Sequence, residues 1–260
     1  MSATLALACV TLACGFAGEE VDEPEPLLKP GDRVAFVGGS FWEKERRDGG
    51  LEMVLTLLVP EVTFRHLGWS GDMADQSARR FFKTAKEGRE PLLEHVDLVK
   101  PTVIFVAYGQ AESLPGGMSV EDFELNLNSL ADELEERTKR IVLVEPSFTF
   151  GEPLENNYEP YAKAVRKIAE KRGYRTISET ALGQGVFASQ TDSPELRDLI
   201  REKNDLFLQR HRPQNETYLR GFRKHEQGNN AVEIEQFEPL VAAKDKEIQA
   251  LRAQILKDSE

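Results

Sequence analysis

Four short segments concentrate the residue types that act on a carbonyl: Gly38-Gly39-Ser40-Phe41-Trp42, Gly68-Trp69-Ser70-Gly71-Asp72, Tyr108-Gly109-Gln110-Ala111-Glu112 and Pro146-Ser147. Glycine lets the backbone approach a ligand and turn its N–H groups toward an oxyanion, and a serine beside it is placed for nucleophilic attack. The chemistry this suggests is acyl transfer, with Ser40 as nucleophile. Glycines also serve tight turns, so spacing alone leaves both readings open. Trp42 and Trp69 offer aromatic faces that would either stack on sugar rings or pack over the sheet end. Gln110 and Glu112 are candidates for substrate contact. Asp72 and Glu112 would form a paired-carboxylate site, unless Asp72 caps the helix after it. No His/Cys cluster has metal-ligand spacing, and Gly38-Gly39 lacks the full glycine pattern of a nucleotide site, so neither metal nor cofactor is expected.

These segments matter because each follows a predicted strand. Between residues 33 and 177, β-branched runs alternate with helical patterns, which predicts a parallel sheet covered on both faces. The five strands are Arg33–Gly38, Val62–Leu67, Thr102–Tyr108, Arg140–Glu145 and a weaker Tyr174–Ile177. Helical spacing recurs in Leu51, Val54, Leu55 and Leu58, in Phe123, Leu127, Leu130 and Leu134, and in Tyr161, Val165 and Ile168. Ser119 with Asp122 resembles a capping box, and Gly173 is a helix stop. In such a sheet the ligand crevice lies outside the carboxyl ends of the strands.

Past residue 178, Gly183-Gln184-Gly185 reads as a loop, and Ser193-Pro194 opens a helix carrying Leu196, Leu199, Ile200, Lys203 and Phe207 over the sheet. Residues 211–239 show no clear period. A terminal helix then presents Val241, Ile248, Leu251 and Ile255 on one face, to dock on its own domain or on a second copy.

The chain has 260 residues, 40% of them hydrophobic and 30% charged, which fits one folded domain and excludes a collagen, a solenoid or a multispan membrane protein. With 33 Lys+Arg against 45 Asp+Glu, the net charge of -12 opposes nucleic-acid binding. Residues 1–18 are uncharged and apolar, too short to span a bilayer, and end on small residues, so they are expected to be a signal peptide, with export of the protein. Residues 19–31 read as a linker, 32–210 as the domain and 211–260 as an irregular segment with a terminal helix. Both cysteines, Cys9 and Cys14, lie in the signal. The alternative to cleavage is lipidation at Cys14, in a loose lipobox.

At the four segments the chain resembles the SGNH (GDSL) hydrolase family, over roughly residues 31–178. VAFVGGSFWEKE resembles the first block, with Ser40 at the nucleophile and Gly39 where an aspartate would stand. HLGWSGD resembles the second, placing Gly71 at the oxyanion-hole glycine and His66 at the opening Asn. GQAE resembles the third, with Ala111 replacing the oxyanion asparagine. Together with the tail RPQNETYLRGFRKHEQGNNAVEIEQFEPL, these segments look like a subgroup of the family common in planctomycete-type bacteria. The resemblance implies a flavodoxin-like three-layer α/β/α sandwich with a C-terminal helical extension. It also implies ester hydrolysis, acting on a small ester or an acetylated polysaccharide. Ser40 would attack, while the N–H groups of Ser40 and Gly71 hold the oxyanion.

The family's Asp-x-x-His block should follow the fifth strand, but the chain reads ETALGQGVFASQTD there, with Phe187 at the histidine's place and Gly183 or Gln184 at the aspartate's. Without a base, a serine hydroxyl is a poor nucleophile at neutral pH. Of the four histidines, His66 reads as packed within a strand and His95 as a surface residue. His211 and His225 flank the basic residues Arg210, Arg212, Arg220, Arg223 and Lys224, an island that would bind an anionic glycan or pair with the protein's own acidic surface. His225 with Glu226 is the candidate substitute base. The rival reading is a catalytically inactive binding module, with the tail mediating partner contacts. Asn215-Glu216-Thr217 matches a glycosylation sequon by chance.

Overall fold

The computed structural model describes residues 25–80, 85–147, 157–188, 192–212 and 231–258. The expected signal peptide, most of the linker, Cys14, the sequon, the basic residues Arg220, Arg223 and Lys224, and the candidate base His225 lie outside the described residues.

Five strands form one parallel sheet in the order β2-β1-β3-β4-β5: β1 (Arg33–Gly38), β2 (Thr63–Gly68), β3 (Val103–Ala107), β4 (Ile141–Glu145) and β5 (Arg175–Ser178). This is the flavodoxin-like order, whose switch point lies between β1 and β3. Gly38 pairs with Gly68 on one side and Ala107 on the other, so the first three strands end level and their following segments meet.

Side chains alternate across the pleat and give the sheet two apolar faces. Ala35, Val37, Ile104, Val106, Ile141 and Leu143 face α3 (Ala85–Val99), α4 (Val120–Glu135) and α5 (Glu159–Arg172), which contribute Leu92, Val96, Phe123, Leu130, Val165 and Ile168. Val34, Phe36, Phe64, Phe105 and Val144 face the other way, toward Phe41 and Trp42 of α1 (Ser40–Asp48), Leu51 of α2 (Gly50–Leu58) and Leu182 of α6 (Glu179–Ala188). The result is a three-layer α/β/α sandwich. Local signals act as expected: the Ser119 hydroxyl accepts from the Asp122 N–H at 3.1 Å and starts α4, and Gly173, at φ 69°, ends α5 in the left-handed conformation that glycine adopts without strain.

Two expectations need correction. Gly183-Gln184-Gly185 lie inside α6 rather than in a loop, because the helix begins directly after β5 and inserts Leu182 into the core. His95 is buried, not at the surface: its ring sits 5.2 Å from that of His211.

The C-terminal elements dock on this body. Ser193 caps α7 (Pro194–His211), which buries Leu196, Ile200, Lys203 and Phe207. After the short α8 (Ala231–Ile234), the last helix, α9 (Phe237–Asp258), packs its Val241 and Ile248 into the domain, with Leu251 and Ile255 against α2 and α7 residues. Arg252 of α9 donates to the carbonyls of Thr56 and Leu57 at 2.6 and 3.1 Å, satisfying two of the last acceptors of α2. The apolar face of the terminal helix is therefore docked on its own domain. Among the described residues no helix is long and apolar enough to cross a membrane.

Candidate functional site

Ser40 is the first residue of α1, reached from β1 through Gly38 and Gly39. Gly38 has φ 155°, and a Cβ there would lie 2.1 Å from the Ala107 carbonyl oxygen, so only glycine lets β1 turn so close to β3. The Gly39 N–H donates to Ala107 O at 3.1 Å, and the Trp69 N–H donates to Gly38 O at 3.0 Å. These backbone bonds bring the second segment over the first. The Gly71 N–H then donates to the exposed Ser40 hydroxyl oxygen at 2.9 Å. Ser40 and Gly71, named from the sequence as nucleophile and oxyanion partner, are in direct contact. A Cβ on Gly39 would stand 2.7 Å from the Asp72 carbonyl oxygen. An aspartate at that position would therefore require the backbone after Gly71 to move, which is a physical reason for glycine here.

A cavity of about 300 Å³ opens at this point, lined by Ser40, Phe41, Glu43, Lys44, Glu45, Arg47, Ser70 and Gln110. Gln110 thus joins Ser40, as expected. Its amide donates to Glu179 at 2.8 Å, and the Ser147 N–H donates to the same carboxylate oxygen at 3.1 Å, so the segments after β3 and β4 are clasped by the first residue of α6. Ser147 and Thr180 share a further hydroxyl contact at 2.7 Å. Sequence reasoning missed Glu179, although the strand-end rule that singled out Ser147 applies equally to the residue after β5. Glu45, also missed, has its carboxyl pushed up to about 7 by burial and by the nearby Asp48.

Three other expected contacts are corrected. Trp42 is fully buried and stacks on Phe36 at 4.1 Å, because it occupies the inward face of α1; it cannot reach a sugar. Trp69 is 9% exposed and its ring face is covered by the Arg212 guanidinium at 3.5 Å from the centroid, so its stacking partner is an arginine. Glu112 is buried and accepts from the Ala74 and Gly109 N–H groups, both at 2.8 Å, so it ties the second segment to the third rather than facing the crevice. Burial pushes its carboxyl up to about 7.

Asp72 is not the cap of the short helix Ser77–Arg79, whose N-cap is Gln76; it accepts from the Ala78 N–H at 3.3 Å, and its main partner is Arg79 at 2.6 Å. Buried Arg79 also donates to Leu67 O at 2.6 Å and Gly38 O at 3.3 Å, and the Tyr108 hydroxyl donates to Asp72 at 3.0 Å. One ion pair thus holds the ends of β1 and β2 and the residue after β3. No sequence signal marked Arg79, since its carbonyl partners are far away along the chain.

The described histidines lie elsewhere. His66 is packed, as expected, with Nε2 3.2 Å from the Glu52 carboxylate. His211 is buried with Nδ1 2.7 Å from Phe207 O, and burial pulls its imidazole down to about 3. None of the three bonds Ser40. Among the described residues no group of His, Cys, Asp or Glu gathers in a way that could hold a metal ion.

No protein family and no curated protein matches this sequence. Among solved structures the chain is similar to LAE5, an alpha/beta hydrolase enzyme from the metagenome of Lake Arreo, Spain, at 14% identity and TM-score 0.48, covering 69% of this chain and 95% of that one. It is also similar to the lipase/acylhydrolase from Enterococcus faecalis, at 15% identity and TM-score 0.45, covering 66% and 95%. A third is Axe2, an acetylxylan esterase from Geobacillus stearothermophilus, at 19% identity and TM-score 0.44, covering 68% and 94%. Likeness at this level says nothing about what the chain does.

Proposed function

We propose that this chain is an SGNH-type ester hydrolase in which Ser40 is the nucleophile. The observation that carries the reading is the 2.9 Å bond from the Gly71 N–H to the Ser40 hydroxyl at the start of α1. Ser40 Oγ attacks the acyl carbon, its proton passes to a base, and the carbonyl oxygen takes on negative charge that backbone N–H groups stabilise. The alcohol leaves with a proton, and water then releases the acyl group from Ser40. The proposed base is His225, oriented by Glu226. The reading carries with it a small ester or acetylated glycan as substrate and export of the protein.

A second reading, a glycan- or protein-binding module without turnover, is favoured by one observation: the three described histidines are all buried in other contacts. Hydrolysis of a small acetyl ester decides between them. The enzyme reading expects turnover that Ser40→Ala abolishes and His225→Ala lowers by about 10² or more, the usual scale of acid–base assistance. No turnover above the Ser40→Ala background, in protein shown by circular dichroism to be folded, would leave the binding reading standing.

A further inference from the structure

In a protein of net charge -12, the Ser40 cavity carries two cations, Lys44 and Arg47, beside the carboxyls of Glu43 and Glu45. Arg47 lines it, and Arg212 is within electrostatic reach of Arg47, Arg46 and Arg79. Arg79 is matched by Asp72. Arg46 and Arg47 both engage the buried Glu43, at 3.1 and 2.9 Å, and Arg46 also reaches the exposed Asp205. The Arg212 guanidinium carbon lies over the Trp69 ring, 3.5 Å from its centroid, and among the described residues Arg212 forms no salt bridge with a carboxylate. Glu43 is the anion that most influences Arg212, and it already serves two other guanidiniums. Burial, and after it the repulsion of Arg79, Arg46 and Arg47, hold the Arg212 guanidinium below the usual arginine range.

A half-buried cation held over an indole still has guanidinium N–H donors to offer a planar anion. Arg47 lines the cavity together with Ser40 and Ser70, and Ser70 follows Trp69 directly. We propose that Arg212 and Arg47 form an anion subsite beside Ser40, and that the ester taken by this site carries a carboxylate near its scissile bond. This deepens the hydrolase reading and rests on it for the substrate; the subsite itself requires only binding. An incoming carboxylate would restore the missing negative charge among the four guanidiniums and would stay fixed while the acyl group is transferred.

The test separates the two. Binding of 4-acetoxybenzoate and of its neutral counterpart 4-acetoxybenzamide to full-length Ser40→Ala protein is measured by calorimetry at two salt concentrations. Binding of the carboxylate at least about tenfold tighter than the amide, weakened by salt, and lost when Arg212→Gln is added, is the expected result. Equal binding of the two compounds, or carboxylate binding unchanged by Arg212→Gln, overturns the subsite. If Arg212→Gln does not fold, Arg47→Gln is the second variant, since that side chain is 68% exposed; it should weaken carboxylate binding severalfold. With Ser40 intact, the ratio of kcat/KM for the two esters should favour the carboxylate and fall toward one in Arg212→Gln. Selective carboxylate binding without any turnover would leave the subsite standing and remove the hydrolase reading.

Discussion

Two of the buried ion clusters among the described residues differ in what their ends hold. In the first, fully buried Lys203 of α7 donates to Glu52 of α2 at 2.5 Å and to Phe64 O of β2 at 2.9 Å, with His66 and Asn204 completing the carboxylate's partners. It ties two helices to an inner part of a strand. In the second, Asp72 and Arg79 end on the backbone at the mouth of the sheet, at Leu67 O and Gly38 O, next to Ser40 and Gly71. The same chemistry therefore has different consequences: the first cluster bears on stability, the second on stability and on site geometry.

The sharpest way to break this comparison is to remove one partner from each cluster. Lys203→Met leaves Glu52 buried without its cation and should cost about 3–5 kcal/mol by urea unfolding, while Lys203→Met with Glu52→Leu should recover most of that loss. Asp72→Asn keeps the shape but removes the charge opposite Arg79, and a loss of about 1–3 kcal/mol is expected. In the protein that remains folded, ester turnover should also drop about a hundredfold, since displacement of about 1 Å at a reacting site has that effect. If Lys203→Met slowed the folded enzyme as much as Asp72→Asn does, the distinction would fail.

Acid should act through the first cluster and its neighbours. Burial alone would raise Glu52, but the Lys203 ammonium and the His66 contact bring it down to about 2. A lowered carboxyl contributes stability above the unfolded value of about 4.5 that is lost as pH falls toward 2. His211, pulled down to about 3 by burial, refuses a proton that the unfolded chain accepts below about 6.5, so its share of stability is likewise lost as pH falls from there toward 3. The share of unfolding free energy that Glu52 and His211 contribute should therefore decline between pH 7 and 4, against an opposite trend from Glu45 and Glu112, whose raised carboxyls bind protons in the folded chain before they do in the unfolded one. His211→Gln should flatten that decline by at most about 1.4 kcal/mol per pH unit. The smallest effect is expected from Ser119→Ala, a cap that touches neither cluster: about 1 kcal/mol, with no change in turnover or in the pH slope.

Much of the architecture was legible because it depends on local periodicity. The five strands, the helices carrying Leu51, Phe123 and Tyr161, and the caps at Ser119 and Ser193 appear within a few residues of their expected places, whereas α1 and α3 were not read from the sequence. Gly71 was set beside Ser40 by the family resemblance alone, and the structure adds that both follow adjacent strands that end level. The tryptophans misled, because an aromatic residue after a strand looks the same whether its helix turns it inward, as at Trp42, or an arginine from a distant helix covers it, as at Trp69. His95 misled for a related reason: burial depends on α7, which arrives more than a hundred residues later.

By itself the sequence determined the α/β class, the parallel sheet and the position of a serine at the mouth, because side-chain period and glycine placement are local properties of the chain. Only the tertiary structure decided which charges meet. Arg79 finds the ends of two strands, Glu179 clasps the segments after two others, and Arg212 settles on Trp69 without an ion pair among the described residues. Those partners are set by three-dimensional distance and by the cost of burying a charge, neither of which any spacing along the chain encodes.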